Sequence, residues 1–204
     1  MALRPALVTA VLALACSLGA CEVGTKSADA VPTPPGTVVD SALPIDTLLR
    51  RFRATLADTP SALAGGAESP EALARALLIA VGRRDTATLR SLVMTRAEFV
   101  WLYYPHSRYT APPYELGPDL VWIPLIASSE KGAGRLLARY GGRPLRFKAL
   151  ICTDSAVHEG PNTIEPGCGA SFAVADSAPR SLHLFASVLG RDRRYKFLSY
   201  ANDL

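Results

Sequence analysis

Two hydrophobic rhythms divide the chain. Through Gly142 apolar residues recur every three or four positions; from Arg143 onward they alternate. Ile45, Leu48, Leu49, Phe52 and Leu56 predict an amphipathic helix with Arg50, Arg51 and Arg53 on its other side, packed on the domain or laid on a membrane surface. Ser69-Pro70-Glu71 starts a second helix: a Ser cap, Pro at the first helical position, an acid against the dipole. Its stripe is Leu73, Ala76, Leu77, Ala80 and Val81, and Gly82 is read as its stop. Asp85 caps a third helix carrying Leu89, Leu92 and Val93. Thr95 and Glu98 have capping-box spacing ahead of Phe99–Tyr104, which reads as a further helical turn or as a strand. Pro118-Asp119 opens a last helical stretch with Leu120, Ile123, Leu136, Leu137 and Tyr140 on its apolar side; Pro124 kinks or restarts it and Gly141-Gly142 ends it. Gly132-Ala133-Gly134 lacks the strand and the Lys of a phosphate loop.

In the second half, Phe147, Ala149 and Ile151 alternate with Arg146, Lys148 and Leu150. Ala170, Phe172 and Val174 follow. Then Leu182, Leu184, Ala186 and Val188 are set against His183, Phe185, Ser187 and Leu189, and 195–200 closes the series. Turn residues at 177–179 and 190–193 separate these runs, so the expected fold is α+β, with N-terminal helices packed on a C-terminal antiparallel sheet of about four strands in meander order.

The first residues carry a different signal. Arg4 precedes an uncharged, mostly apolar run from Ala6 to Leu18, too short to span a bilayer. Leu18, Gly19 and Ala20 stand directly before Cys21. This resembles the lipobox of bacterial lipoproteins, which implies removal of residues 1–20 and acylation of Cys21. An ordinary cleaved signal, an uncleaved anchor, or use of Cys16 are the alternatives. The resemblance implies a cell-envelope address with the lipid bilayer as partner through Cys21, and Glu22 after the cysteine directs the reading to the periplasmic face of the outer membrane. Two or three acyl chains hold a protein firmly where one does so only marginally. Residues 21–44 contain Pro32, Pro34, Pro35 and Gly36 and no apolar period, so they read as a disordered tether. As a coil its ends lie about 25 Å apart, at about 5–6 Å times the square root of its length. Residues 45–204 form a single domain.

Composition changes this little. The chain has 22 basic and 18 acidic residues, a net charge of +4, with no long run of one sign, which excludes nucleic acid as a partner. Cys152 and Cys168 stand at the end of one expected strand and the start of the next. If those strands pair, the sulfurs meet at the root of loop 153–167, and an oxidising compartment makes a disulfide the outcome. Closing that loop stabilises by about 3 kcal/mol in the chain-entropy model. A metal site of Cys152, His158 and Cys168 is the alternative, but its spacing fits no zinc pattern, so no metal and no cofactor is assigned.

The stretch between the tryptophans offers the candidate binding surface: Trp101, Tyr103, Tyr104, Tyr109, Tyr114 and Trp122, interrupted by Pro105, Pro112, Pro113 and Pro118. Tyrosine's flat body and polar tip suit sugars, peptides or lipid headgroups. The competing reading is that these rings pin a long loop to the core.

Helices first, a capped helix followed by Asp85-Thr86-Ala87-Thr88-Leu89, a long helical stretch and a final meander: this order resembles the nuclear-transport-factor-2-like superfamily over about residues 70–200. The resemblance implies a curved sheet wrapped over helices as a cone with a cavity. Some members are isomerases, cyclases or dehydratases with a cavity Asp or His as base; many others only bind. The titratable candidates here are His106, His158, His183, Glu98 and Asp119, and none matches a catalytic motif. The function expected is therefore a membrane-anchored envelope lipoprotein with a non-enzymatic domain that binds a small ligand or an envelope protein. An isomerase- or cyclase-type enzyme and a structural assembly factor, docking through Leu48, Phe52 and Leu56, are the alternatives.

Overall fold

The computed structural model describes residues 43–204. The lipobox Leu18–Cys21, the signal 1–20 and the tether up to residue 42 lie outside the described residues.

Among the described residues, five α-helices precede the strands. α1 (Ile45–Arg53) starts at Pro44, whose carbonyl accepts from the Thr47 and Leu48 amides. It packs on the domain: Phe52 is buried, and Leu48 and Leu56 are half-buried. α2 (Pro70–Arg83) begins where expected, with the Ala72 amide donating to Ser69 Oγ. It runs past Gly82 and ends at Arg84, whose φ of 56° breaks the helix. Gly82 is not the stop; a Cβ there would press on the Arg143 carbonyl, so its small size admits the chain entering the first strand. α3 (Thr86–Leu92) is capped by Asp85, which accepts from Thr88 through backbone and hydroxyl. α4 (Arg96–Glu98) carries the full capping box between Thr95 and Glu98. Phe99–Tyr103 is then a π-helical turn and Tyr104–His106 a 3-10 turn, so this segment is helical, not a strand. α5 (Pro118–Tyr140) is continuous through Pro124.

The alternating half forms seven strands in two antiparallel sheets, not one sheet of about four: β1 (Leu145–Cys152), β2 (Val157–Glu159), β3 (Asn162–Glu165), β4 (Cys168–Val174), β5 (Arg180–Leu182), β6 (Val188–Arg191) and β7 (Arg194–Phe197). The orders are β1-β4-β5 and β2-β3-β6-β7. The meander order of the expected strands survives, but the expected strand 182–189 breaks at 183–187, and there, as at 153–156 and at Pro166-Gly167, the chain passes from one sheet into the other. Pro166 has no amide to donate and Gly167 adopts φ +62°, so the ladder cannot continue there. Residues 153–167 are correspondingly not a bare loop, since they contain the β2–β3 hairpin.

Two expected faces are shifted. A bulge between Phe147 and Ala149 puts Leu145, Phe147 and Leu150 toward the core and leaves Ile151 exposed. At 183–187 the chain leaves the strand, burying Leu184 and Phe185 side by side and exposing Ala186.

Both faces of the four-stranded sheet are covered. Val188 and Phe197 join a cluster built on α2, α3 and the end of α5, with Leu73, Leu77, Leu136, Tyr140 and Phe172. Leu189, Ile164 and Leu198, their neighbours on the opposite face, join a second cluster with Phe52, Phe99, Tyr104 and Trp122.

Candidate functional site

The aromatic stretch divides into core and surface. Phe99 is the hub of the second cluster, with ring centroids of Phe52, Tyr103, Tyr104 and Trp122 at 5.1–6.1 Å. Tyr104 donates its hydroxyl to the Leu116 carbonyl at 2.6 Å, and burial pushes its pKa up to about 12. Burial, helped by the charge of Glu159, also pushes the Tyr103 phenol upward. Trp101 is half-buried beneath the Arg53 guanidinium, 4.0 Å from its ring. Tyr114 is exposed and meets Tyr109 edge-on at 5.8 Å, with Arg108 over both rings, while Tyr109 itself is half-buried against the second cluster. Of the six aromatic candidates, Tyr103, Tyr104 and Trp122 are buried and hold the loop to the core, Trp101 and Tyr109 are half-buried, and Tyr114 is exposed.

The titratable candidates do not converge. Glu98 is buried and paired with Lys196, which the sequence reading missed: Nζ lies 2.7 Å from Oε2 and 3.0 Å from Oε1. The carboxylate also accepts from the Ala64 and Thr95 amides, and Nζ donates to the Ala64 carbonyl. Every strong valence of both groups is filled, so the pair clips loop 54–67 to α4 and β7 and has nothing left for a substrate. His106 lies against Gly160, His158 against Thr163 Oγ1, and His183 Nδ1 is 3.2 Å from the Cys168 carbonyl. Asp119 is exposed in the first turn of α5.

Cys152 and Cys168 face each other in register and are bonded, with Cα atoms 4.0 Å apart, at the joint where β1 and β4 give way to β2 and β3. Glu165, not His158, lies beside the two sulfurs, and both thiolates are consumed by the bond. Burial and the nearby Glu71 charge hold the Glu165 carboxyl above its ordinary pKa.

Open space gathers along α5, as it also does beside Glu98, in about 410 Å³ lined by Asp58, Pro60 and Thr95, and between α2 and β1, in about 290 Å³. Leu120, Pro124, Ser128, Lys131 and Arg135 follow one another at spacings of three and four, one stripe of the helix. Opposite it run 183–187, where the strand is interrupted, and 198–203. Together they enclose two adjoining hollows. The first, about 390 Å³, is bounded by Tyr103, Tyr109, Leu116, Leu120, Pro124 and Leu198. The second, about 460 Å³, is bounded by Lys131, Arg135, His183, Asn202 and Asp203. Ser128, Ala186 and Ala201 line both, so the two adjoin as one trough with small side chains at the junction. Its far wall is fixed by the Tyr200 amide on Ser129 Oγ, by Asn202 Nδ2 on the Gly132 carbonyl and by Arg135 on the Asn202 carbonyl. Gly132 is required for this: a Cβ would collide with the Tyr200 carbonyl. Leu120 and Ile123, expected to be core, are instead 66% and 60% exposed; Leu120 lines the first hollow, and Tyr114, 47% exposed, packs against Tyr109, which lines it too. A separate apolar hollow of about 460 Å³, with Leu89, Val93, Ile126 and Leu137, lies on the other flank of α5.

No helix among the described residues is long and apolar enough to cross a membrane. No family model, no curated protein and no solved structure matches this chain.

Proposed function

We propose that the chain is a membrane-anchored envelope lipoprotein whose folded part binds a ligand or an envelope partner and does not turn over a substrate. The observation that carries the binding half is the trough on α5, whose apolar hollow is lined by exposed Leu120 and by Tyr109, with exposed Tyr114 packed against Tyr109. Leaving Leu120 at that exposure costs the protein burial it could have used, and exposed apolar groups gathered at one place mark contact surfaces.

The anchor half rests on Leu18-Gly19-Ala20-Cys21. A disulfide between Cys152 and Cys168 belongs in an oxidising compartment, which supports an address outside the cytoplasm and, with Glu22, the outer membrane. The nuclear-transport-factor-2-like cone is kept as the fold reading: helices followed by strands in meander order, with the chain crossing between two sheets, support it. Within that superfamily, binding is favoured over isomerase or cyclase chemistry. Tyr140, Phe172, Phe185 and Phe197 fill the space between helices and sheets where a cavity base would stand, and Glu98 is occupied by Lys196.

The test places a photo-crosslinking residue at position 114 or 120 in living cells, with position 79 as control, since Ile79 is exposed beside Leu145 and Phe147, away from the trough. Adducts at 114 and 120 but not at 79 are expected. Equal trapping at all three, or none at any, would overturn the binding reading.

A further inference from the structure

The trough changes character along its length, and that gradient specifies a ligand. At one end the stripe of α5 is Leu120 and Pro124, faced by Tyr103, Leu116 and Leu198. At the other it is Lys131 and Arg135, faced by His183 and Asn202. From Leu120 to Arg135 the stripe spans about 22 Å at 1.5 Å rise per residue. Two fixed cations stand against one carboxylate, Asp203, so the polar end is net positive. The Arg135 guanidinium is held by the Asn202 carbonyl through one nitrogen, which orients the group. An orientated guanidinium beside a flexible ammonium is suited to an oxyanion, and a carboxylate or phosphate can be met by both. The junction is lined by Ser128, Ala186 and Ala201, small side chains that carry no charge, so it offers an occupant room but no ionic partner between the ends.

We propose that the trough binds an anionic single-chain amphiphile, its aliphatic chain along Leu120, Pro124 and Leu198 and its carboxylate or phosphate on Lys131 and Arg135. This deepens the binding reading above and rests on it. A peptide partner fits less well, because one continuous aliphatic stem joins an apolar hollow to a cationic one without needing the backbone partners a peptide requires. Leu120, which lines the apolar hollow and is 66% exposed, gives such a molecule an entry at the surface. No bond is made or broken; recognition is burial of the chain plus pairing of the head.

The experiment uses the full chain in its own membranes with three photoactivatable probes of equal chain length: a fatty acid, a lysophosphatidic acid and the fatty alcohol. The account expects adducts mapped to 120–131 and 186–203, lost on adding unlabelled fatty acid. The alcohol should label about tenfold less, the fold-change that corresponds to losing one charge-assisted contact. Lys131 is exposed, so Lys131→Glu leaves the fold intact; it should lower labelling by both anionic probes about fivefold and leave the alcohol unchanged. Ser128→Trp, which plugs the junction, should abolish labelling by all three. Preference between the two anionic probes separates carboxylate from phosphate heads. Labelling spread over the whole surface, or equal labelling by acid and alcohol that ignores Lys131→Glu, would overturn the proposal. Labelling of the trough by the alcohol alone would keep it as a binding site and remove the anionic head. Crosslinking to another protein at 114 or 120 with no probe in the trough would keep the binding reading and sink this ligand.

Discussion

The two faces of the four-stranded sheet are held in different ways. On the face of Val188 and Phe197, α2 supplies Leu73, Leu77 and Val81 at helical spacing, and the cluster is closed by apolar contact. On the face of Leu189 and Leu198 the covering segment is a π-helical turn followed by 3-10 turns. Such a backbone leaves carbonyls without helical partners. The Leu102 carbonyl accepts instead from Asn162 Nδ2 and Arg191 Nη1, the Leu116 carbonyl from Tyr104, and the loop before α4 is pinned by Glu98 and Lys196. Regular helix needs only an apolar stripe to be placed; irregular backbone needs polar side chains to complete it. The second face also contributes Tyr103, Val121 and Leu198 to the trough, so the proposed binding surface adjoins the part of the chain that is least periodic.

If that contrast holds, the largest loss follows from removing one member of the buried pair. Lys196→Met leaves Glu98 buried without its cation and should cost about 3–5 kcal/mol in urea unfolding; a loss below about 1 kcal/mol, the size of an exposed pair, would show that the polar clip does not hold this face. Leu77→Ala on the other face should cost about 2–5 kcal/mol, the value for a core truncation, and its cost should not change with salt. Replacing Cys152 and Cys168 together by Ala should lower stability by about 3 kcal/mol, the loop-closure value, and two titratable thiols in the non-reduced parent would refute the bond. The smallest effect is one of pH. Asp85 is held below its usual pKa by the Thr88 hydrogen bonds, so its contribution is present at neutral pH and lost on acidification. Glu165 has the opposite sign. Its folded pKa is raised, so its contribution is complete below the ordinary value of 4.5 and lost as pH rises through the folded value. Glu165→Gln should therefore raise the unfolding midpoint at neutral pH and make no difference in acid. A fall at neutral pH would mean that the charged form is favoured in the fold.

Local chemistry was legible and long-range pairing was not. Ser69, Asp85 and the Thr95–Glu98 box were visible because a cap and its helix are neighbours in the chain. Lys196 was missed because its partner is 98 positions away; the only sign was a charge set between Tyr195 and Phe197-Leu198 at the apolar end of its strand. The disulfide was readable once β1 and β4 were taken as a pair, but the β2–β3 hairpin beyond it was hidden behind the turn residues that flank it. The bulge near Lys148 reversed the expected face of Ile151, as one extra residue must with a period of two. Along α5, Leu120 and Ile123 fit the apolar period as well as Leu136 does. That they stay uncovered is a tertiary fact with no local signature.

The account stands on a chain anchored outside the cytoplasm, and intact-mass spectrometry of the protein extracted from its native membranes tests this most directly. A terminus at Cys21 carrying the mass of a diacylglyceryl group and an added acyl chain is expected. An initiator methionine still in place, or a Cys21 terminus of bare peptide mass, would contradict it.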